Sequence, residues 1–197
     1  NTATVTQVDK RNNAGLAQIG SNNTLSITQG ILPLAHDNGA SHAAFIDQIQ
    51  DGNEGVISQS GIYDHPYNIQ TGMSNYLSVR QGGYDLAEVT QEGNNNRATQ
   101  LQSVNGWTGF DLSRAYIVQK GNWNQATQIQ NGLASQSRIT QMSDWNTASL
   151  TQNGNSNSAI VLQETGDDNV VNLTQNDAAQ EVQWLRYVLE FVSNKNN

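Results

Sequence analysis

Glutamine recurs along this chain like the marks of a ruler. Gln7, Gln18 and Gln29, then Gln48, Gln59, Gln70, Gln81, Gln91 and Gln102, then Gln119, Gln130, Gln141, Gln152, Gln163 and Gln175 are eleven residues apart, except at four gaps of 19, 10, 17 and 12. Six residues before most of them stands an asparagine: Asn1, Asn12, Asn23, Asn53, Asn75, Asn96, Asn124, Asn146, Asn157 or Asn169. His42, Asp64, Asp85, Ser113 and Ser135 hold that slot in the remaining units. A fixed short period means that no unit buries an apolar face alone, so neighbouring units must stack.

Within a unit the pattern alternates, as in Asn12-x-Ala14-x-Leu16-x-Gln18, Asn23-x-Leu25-x-Ile27-x-Gln29 and Asn157-x-Ala159-x-Val161-x-Gln163. A period of two puts the amides and the small or apolar residues on one face of a strand. Fifteen units of four positions make sixty sites on this face, and only Asp64 and Asp85 carry formal charge there. Scattering the chain's 26 charged residues (9 basic, 17 acidic) at random would put about eight on it, so the face is read as buried. The opposite face carries Thr24-Ser26-Thr28 and Thr147-Ser149-Thr151, along with Arg97 and Glu88, and is solvated.

Connections such as Gln70-x-Gly72-x-x-Asn75 and Gln152-x-Gly154-x-x-Asn157 supply tight turns, since glycine adopts positive φ without strain. Two units then make a flattened coil of 22 residues. Coils stacked ~4.8 Å apart give two parallel sheets ~10 Å apart. The expected fold is all-β, a two-sheet parallel β-solenoid of cross-β type with about 15 strands, or seven and a half coils. Stacked Asn and Gln then fall on like residues, and their amides form hydrogen-bonded ladders. Composition agrees: Asn and Gln number 48, whereas Leu, Ile, Val and Phe number 42 of 197 residues, a thin supply for an ordinary core. The expected ladder comprises Asn12, Gln18, Asn23, Gln29, Gln48, Asn53, Gln59, Asn75, Gln81, Gln91, Asn96, Gln102, Gln119, Asn124, Gln130, Gln141, Asn146, Gln152, Asn157, Gln163, Asn169 and Gln175.

The run Gln91-Glu92-Gly93-Asn94-Asn95-Asn96-Arg97-Ala98-Thr99-Gln100-Leu101-Gln102 resembles the curlin repeat of curli amyloid subunits. The match recurs at 119–130 and 152–163, and a looser form covers 1–175. The resemblance implies a secreted subunit of a Gram-negative bacterium that polymerises into extracellular cross-β fibres of biofilm matrix. It also implies export through an outer-membrane secretion pore, with nucleator or accessory proteins as partners. A nucleator or minor subunit is the alternative within the family. Outside it stands a non-polymerising solenoid that binds glycan or ice.

The repeat region, 1–175, carries insertions at 30–41 and 103–112; both follow odd-numbered strands and should leave from one edge. Trp107 and Phe110 in the second are expected to cover that edge. Trp123 and Trp145 are one coil apart, so their indoles should stack. His36, His42 and His65 map near Asp37 and Asp64, but without close ligand spacing they read as polar loop residues, not a metal site. Residues 176–197 are apolar-rich and fit a final strand, a docking strand or a cap. The chain begins at Asn1 without a Met or a leader, as a processed chain would, and with no polar cap before its first strand. Head-to-tail contact is therefore expected between Asn1, Val5 and Gln7 of one copy and Val182 and Trp184 of another.

Other classes fit poorly. Nine scattered basic residues and a net charge of −8 argue against a dedicated nucleic-acid ligand. No apolar run reaches the ~18 residues of a membrane-spanning helix, so membrane insertion is not expected. Cysteine is absent, which removes disulfides and thiolate clusters. No paired carboxylates in a cleft suggest an enzyme, calcium-roll turns are missing, and no cofactor is expected.

Overall fold

The computed structural model describes residues 1–8, 11–30, 42–60, 64–102, 112–176 and 181–186. These residues form sixteen strands and no helix: β1 (Thr2–Gln7), β2 (Asn13–Ile19), β3 (Thr24–Gln29), β4 (Ala43–Ile49), β5 (Glu54–Gln59), β6 (His65–Thr71), β7 (Tyr76–Gln81), β8 (Asp85–Glu92), β9 (Arg97–Gln102), β10 (Ser113–Lys120), β11 (Gln125–Gln130), β12 (Gln136–Gln141), β13 (Thr147–Gln152), β14 (Ser158–Gln163), β15 (Val170–Gln175) and β16 (Glu181–Arg186). Odd strands make one eight-stranded sheet in the order β1-β3-β5-β7-β9-β11-β13-β15, and even strands make the other, from β2 to β16. Every pairing is parallel, with glutamine opposite glutamine from coil to coil, as in Gln119↔Gln141 and Gln130↔Gln152.

The fold is thus the expected parallel β-solenoid, with sixteen strands in place of about fifteen. The added strand is β16, which pairs with β14 and sets Val182 opposite Ala159, Trp184 opposite Val161 and Arg186 opposite Gln163. The eleven-residue step from Gln175 lands on Arg186, so no glutamine marks this strand in the sequence. Part of the apolar tail is therefore the last strand of an eighth coil.

The interior between the sheets is thin. One row is mostly alanine (Ala44, Ala87, Ala98, Ala115, Ala126, Ala148, Ala159), and a second is branched (Ile27, Ile46, Ile57, Val79, Val89, Ile117, Ile139, Leu150, Val161), all fully buried. β6 interrupts both rows with buried Pro66 and Asn68 yet keeps its place. Its pairing with β4 begins only at Phe45↔Tyr67, as the missing N–H of Pro66 requires.

Both insertions leave the stack at the odd-to-even edge, after β3 and β9. Most of their length, at 31–41 and 103–111 and including His36, Asp37, Trp107 and Phe110, lies outside the described residues.

Candidate functional site

The candidate functional feature is the stacking surface itself, and glutamine builds it. In the even sheet Nε2 of Gln18 donates to Oε1 of Gln48 at 2.7 Å, and the relay continues through Gln70, Gln91, Gln119, Gln141 and Gln163 with steps of 2.8 to 3.0 Å. In the odd sheet Gln7 donates to Gln29 and Gln29 to Gln59, and further on Gln81 reaches Gln102, Gln130, Gln152 and Gln175. Every link runs the same way, with the donor on the N-terminal coil. The second N–H of each amide crosses to the facing sheet, as from Gln91 to the Tyr76 carbonyl and from Gln141 to the Gln125 carbonyl. Most of these glutamines thus join coils along the stack and pin the two sheets across it, with a break in the column between Gln59 and Gln81. Leucine could fill the space, but it would leave three buried polar groups per site without partners.

The asparagines act differently from the expected side-chain ladder. Along the even-to-odd edge Oδ1 of each accepts the backbone N–H of the asparagine one coil on: Asn23 to Asn53 at 2.8 Å, and likewise Asn53 to Asn75, Asn75 to Asn96, Asn96 to Asn124, Asn124 to Asn146 and Asn146 to Asn169. Nδ2 of Asn53, Asn75 and Asn96 donates to the turn carbonyls of Gly72, Gly93 and Gly121 on the next coil, each at 2.8 Å. In this slot the shorter side chain meets backbone, whereas asparagines just after the glutamines do bond amide to amide, Asn131 to Asn153 at 2.9 Å and Asn153 to Asn176 at 2.8 Å. On the other edge Asn157 donates to the Gly154 carbonyl, and Asn12 is half-buried.

A second, internal glutamine pair lies outside the expected ladder. Gln100 and Gln128 occupy the branched row, fully buried, and Gln100 Nε2 donates to Gln128 Oε1 at 3.0 Å. The period-two rule applied two residues before Gln102 and Gln130 marks both as inward.

The turns make close stacking possible. The residue preceding each edge asparagine is left-handed, as at Asn22, Ser74, Asn95, Trp123 and Trp145. Gly72 and Gly93 also have positive φ, and a Cβ on either would collide with the carbonyl of Gly93 or Gly121 on the next coil. Trp123 and Trp145 stack with ring centroids 5.1 Å apart and planes 5° from parallel, while remaining about half exposed.

The histidines part company. His65 points outward, whereas His42 is fully buried with Nδ1 3.4 Å from Asp64 Oδ2, so it is not a polar loop residue. Its slot in the unit, which faces inward, takes precedence over its position after an insertion.

At the ends, all six residues of β1 are exposed, including Val5 at 39%. Asn1 Oδ1 accepts from Asn23 N–H at 3.1 Å, and Gln7 and Gln18 are the outermost ladder amides on this side. On the far side the same two columns close with Gln175 and, by register, Arg186, beside Val182 and Trp184.

Residues 1–30 and 145–176, which span β1–β3 and β13–β15, match the family model of the curlin associated repeat. No curated protein matches the chain.

Proposed function

We propose that this chain is a structural subunit of an extracellular, curli-like amyloid fibre of biofilm matrix, growing head to tail by cross-β stacking. The observation that carries this reading is the equivalence of the two ends. Among the described residues both sheets finish in parallel strands, and β1 and β2 carry the register of β15 and β16 except that Arg186 stands where β2 has Gln18. A second copy displaced by eight coils, about 38 Å, sets Gln175 over Gln7 and Arg186 over Gln18. The Gln175 amide then meets the Gln7 oxygen in the direction every internal link already takes. Such a contact joins unlike surfaces and does not close on itself, so it propagates as a filament.

The curlin repeats support secretion to the cell surface, with an outer-membrane pore and nucleator or accessory proteins as partners of assembly. A structural role is also favoured over catalysis, because the buried glutamine amides are engaged in stacking. Electron microscopy of the purified chain at neutral pH tests the proposal. Unbranched fibres with a ~4.8 Å meridional repeat are expected, and persistent monomers would overturn it.

A further inference from the structure

Three buried polar side chains stand outside the assembly ladders. His42 and Asp64 immediately precede β4 and β6, and Asp85 opens β8, one above another along the odd-to-even edge, and each is fully buried. Asp64 Oδ2 lies 3.4 Å from His42 Nδ1, and Asp64 Oδ1 accepts the Asp85 N–H at 3.4 Å. Both ring nitrogens of His42, Asp64 Oδ2 and both carboxylate oxygens of Asp85 make no well-aligned hydrogen bond to the described residues, although the backbone N–H groups of Gly82 and Ser113 approach the Asp85 carboxyl.

The equivalent slot on the opposite edge shows what is missing. There an asparagine both accepts from the next backbone N–H and donates to a turn carbonyl. Further along the His42 column, Ser113 and Ser135 also donate, to the carbonyls of Gly132 and Gly154. A carboxylate can accept but cannot donate; a carboxylic acid can do both.

The surroundings add no compensating charge. Across the interior, Gln59 and Gln81 turn neutral amides toward this edge and donate to the carbonyls of Asp64 and Asp85 at 2.8 Å. Among the chain neighbours, His65 and Arg114 lie on the outer face and Tyr84 is half-buried. Among the described residues His42 is the one basic side chain facing the two carboxyls. It can pair with one of them at most, and a second buried carboxylate beside the first would be repelled and poorly solvated.

We propose that the His42–Asp64–Asp85 column is a proton-binding site of the folded solenoid, in which His42 pairs with Asp64, Asp85 is held as the neutral acid, and loss of that proton loosens the junction between the third and fourth coils. Burial, partly offset by His42 and by the backbone N–H groups of Asp85 and Gly83, raises Asp64 to about 6, and burial together with the Asp64 charge, partly offset by the backbone N–H groups of Gly82 and Ser113, raises Asp85 to about 7. The site belongs to the fold of one subunit and holds whether or not that subunit polymerises.

A pH titration of the full-length folded chain, carrying ¹³C at aspartate Cγ and followed by NMR, reads the site directly. Two aspartate carbons should titrate as a coupled pair above pH 5.5, one of them vanishing in Asp85→Asn. If every aspartate titrates below pH 5, the proposal fails. The folding equilibrium constant should be roughly tenfold or more larger at pH 5 than at pH 8 in the native chain, with most of that difference absent in Asp85→Asn. Asp85→Ser, which copies Ser113 and Ser135, serves the same purpose if the asparagine variant does not fold. Asp47→Asn removes the same charge from the outer face of β4 and should keep the native pH dependence. If Asp47→Asn flattens it equally, net charge and not the column is responsible.

Discussion

Gln59 and Gln81 are register partners in β5 and β7, yet their amides do not bond to each other. Gln59 Nε2 donates instead to the Asp64 carbonyl at 2.8 Å, and Gln81 Oε1 is buried without a partner among the described residues. The turn after Gln81 reaches its next inward slot, Asp85, in four residues where five is usual, and the Gln81 amide donates across it. This junction, between the third and fourth coils, is also where Asp64 and Asp85 stack. One ladder link is missing at the point where two buried carboxyls adjoin, which marks it as the weakest step in the stack.

That break sets the relative cost of removing glutamines. Gln141→Leu strands the Gln119 amide N–H, the Gln163 oxygen and the Gln125 carbonyl, and should cost roughly 2–4 kcal/mol, at about 1–3 kcal/mol for a buried group left unsatisfied. Gln81→Leu strands no donor on Gln59 and should cost about 1–2 kcal/mol less. Ser149→Ala, on the outer face, should change stability by less than about 0.5 kcal/mol. Denaturant midpoints of the three variants decide the order, and equal losses for Gln141→Leu and Ser149→Ala would contradict the inward register.

Stacking distance is enforced by the turns. Gly93→Ala places a Cβ against the Gly121 carbonyl and at a strained φ, and should cost roughly 3 kcal/mol or disrupt the junction outright. Gly52 also has positive φ, but a Cβ there meets nothing nearer than 3.5 Å, so Gly52→Ala should cost about 1 kcal/mol. Thermal or chemical unfolding of the two variants separates collision from backbone strain.

Much of this architecture was legible in the sequence because one residue type, at one spacing, does two jobs at every coil. The spacing of Gln18, Gln48 and Gln70 predicts strand, face and partner together, since parallel in-register stacking brings like residues to like. What the sequence concealed has physical reasons. Asparagine and glutamine share an amide, but at the slot that opens the unit the shorter side chain is met by backbone, so Asn53 bonds to backbone while Gln59 accepts from Gln29. β16 carries no glutamine in the ruler position, because Arg186 stands there. His42 follows an insertion, and its burial is decided by its slot in the repeat unit, not by that neighbour.

The stacked indoles should be detectable as an interaction. Trp123→Ala and Trp145→Ala should each lower stability, and the double-mutant cycle should return a coupling of roughly 0.5–1.5 kcal/mol. An exciton couplet in the near-ultraviolet circular dichroism should disappear in either single variant. Additive losses with the couplet retained would show that the rings do not stack.

The acid–base logic of the odd-to-even edge can be transplanted. Asn75→Asp keeps the acceptor for the Asn96 N–H but replaces the donor to the Gly93 carbonyl with an oxygen. For native Asp64 and Asp85 the folded values, about 6 and about 7, lie above the ordinary 3.8. Their stabilising contribution is therefore complete below about pH 4 and is lost as pH rises through 6 to 7. The carboxyl introduced by Asn75→Asp should follow the same sign. The variant should lose roughly 2–4 kcal/mol at pH 8 and regain much of it at pH 4. Denaturant titrations at the two pH values check this, and a loss that is greater at pH 4 would reverse the argument.

Growth of the stack tests the two ends together. Deleting 176–197 removes β16 and leaves β14 as the outer even strand, so an incoming β2 edge loses its partner while β15 remains available to β1. Elongation from wild-type seeds should slow at least severalfold. Gln18→Leu removes the outermost acceptor of the even column and should slow elongation without abolishing the fold, because its one ladder partner, Gln48, keeps its own donation to Gln70. The net charge of −8 opposes end-to-end approach, and salt screens that repulsion over a Debye length of ~8–10 Å at physiological strength, so both variants and the native chain should elongate faster as salt is added. Elongation rates from seeded kinetics give the comparison. Unchanged growth of the truncated chain would show that β16 is dispensable to the junction, and faster growth would identify it as a cap that restrains assembly.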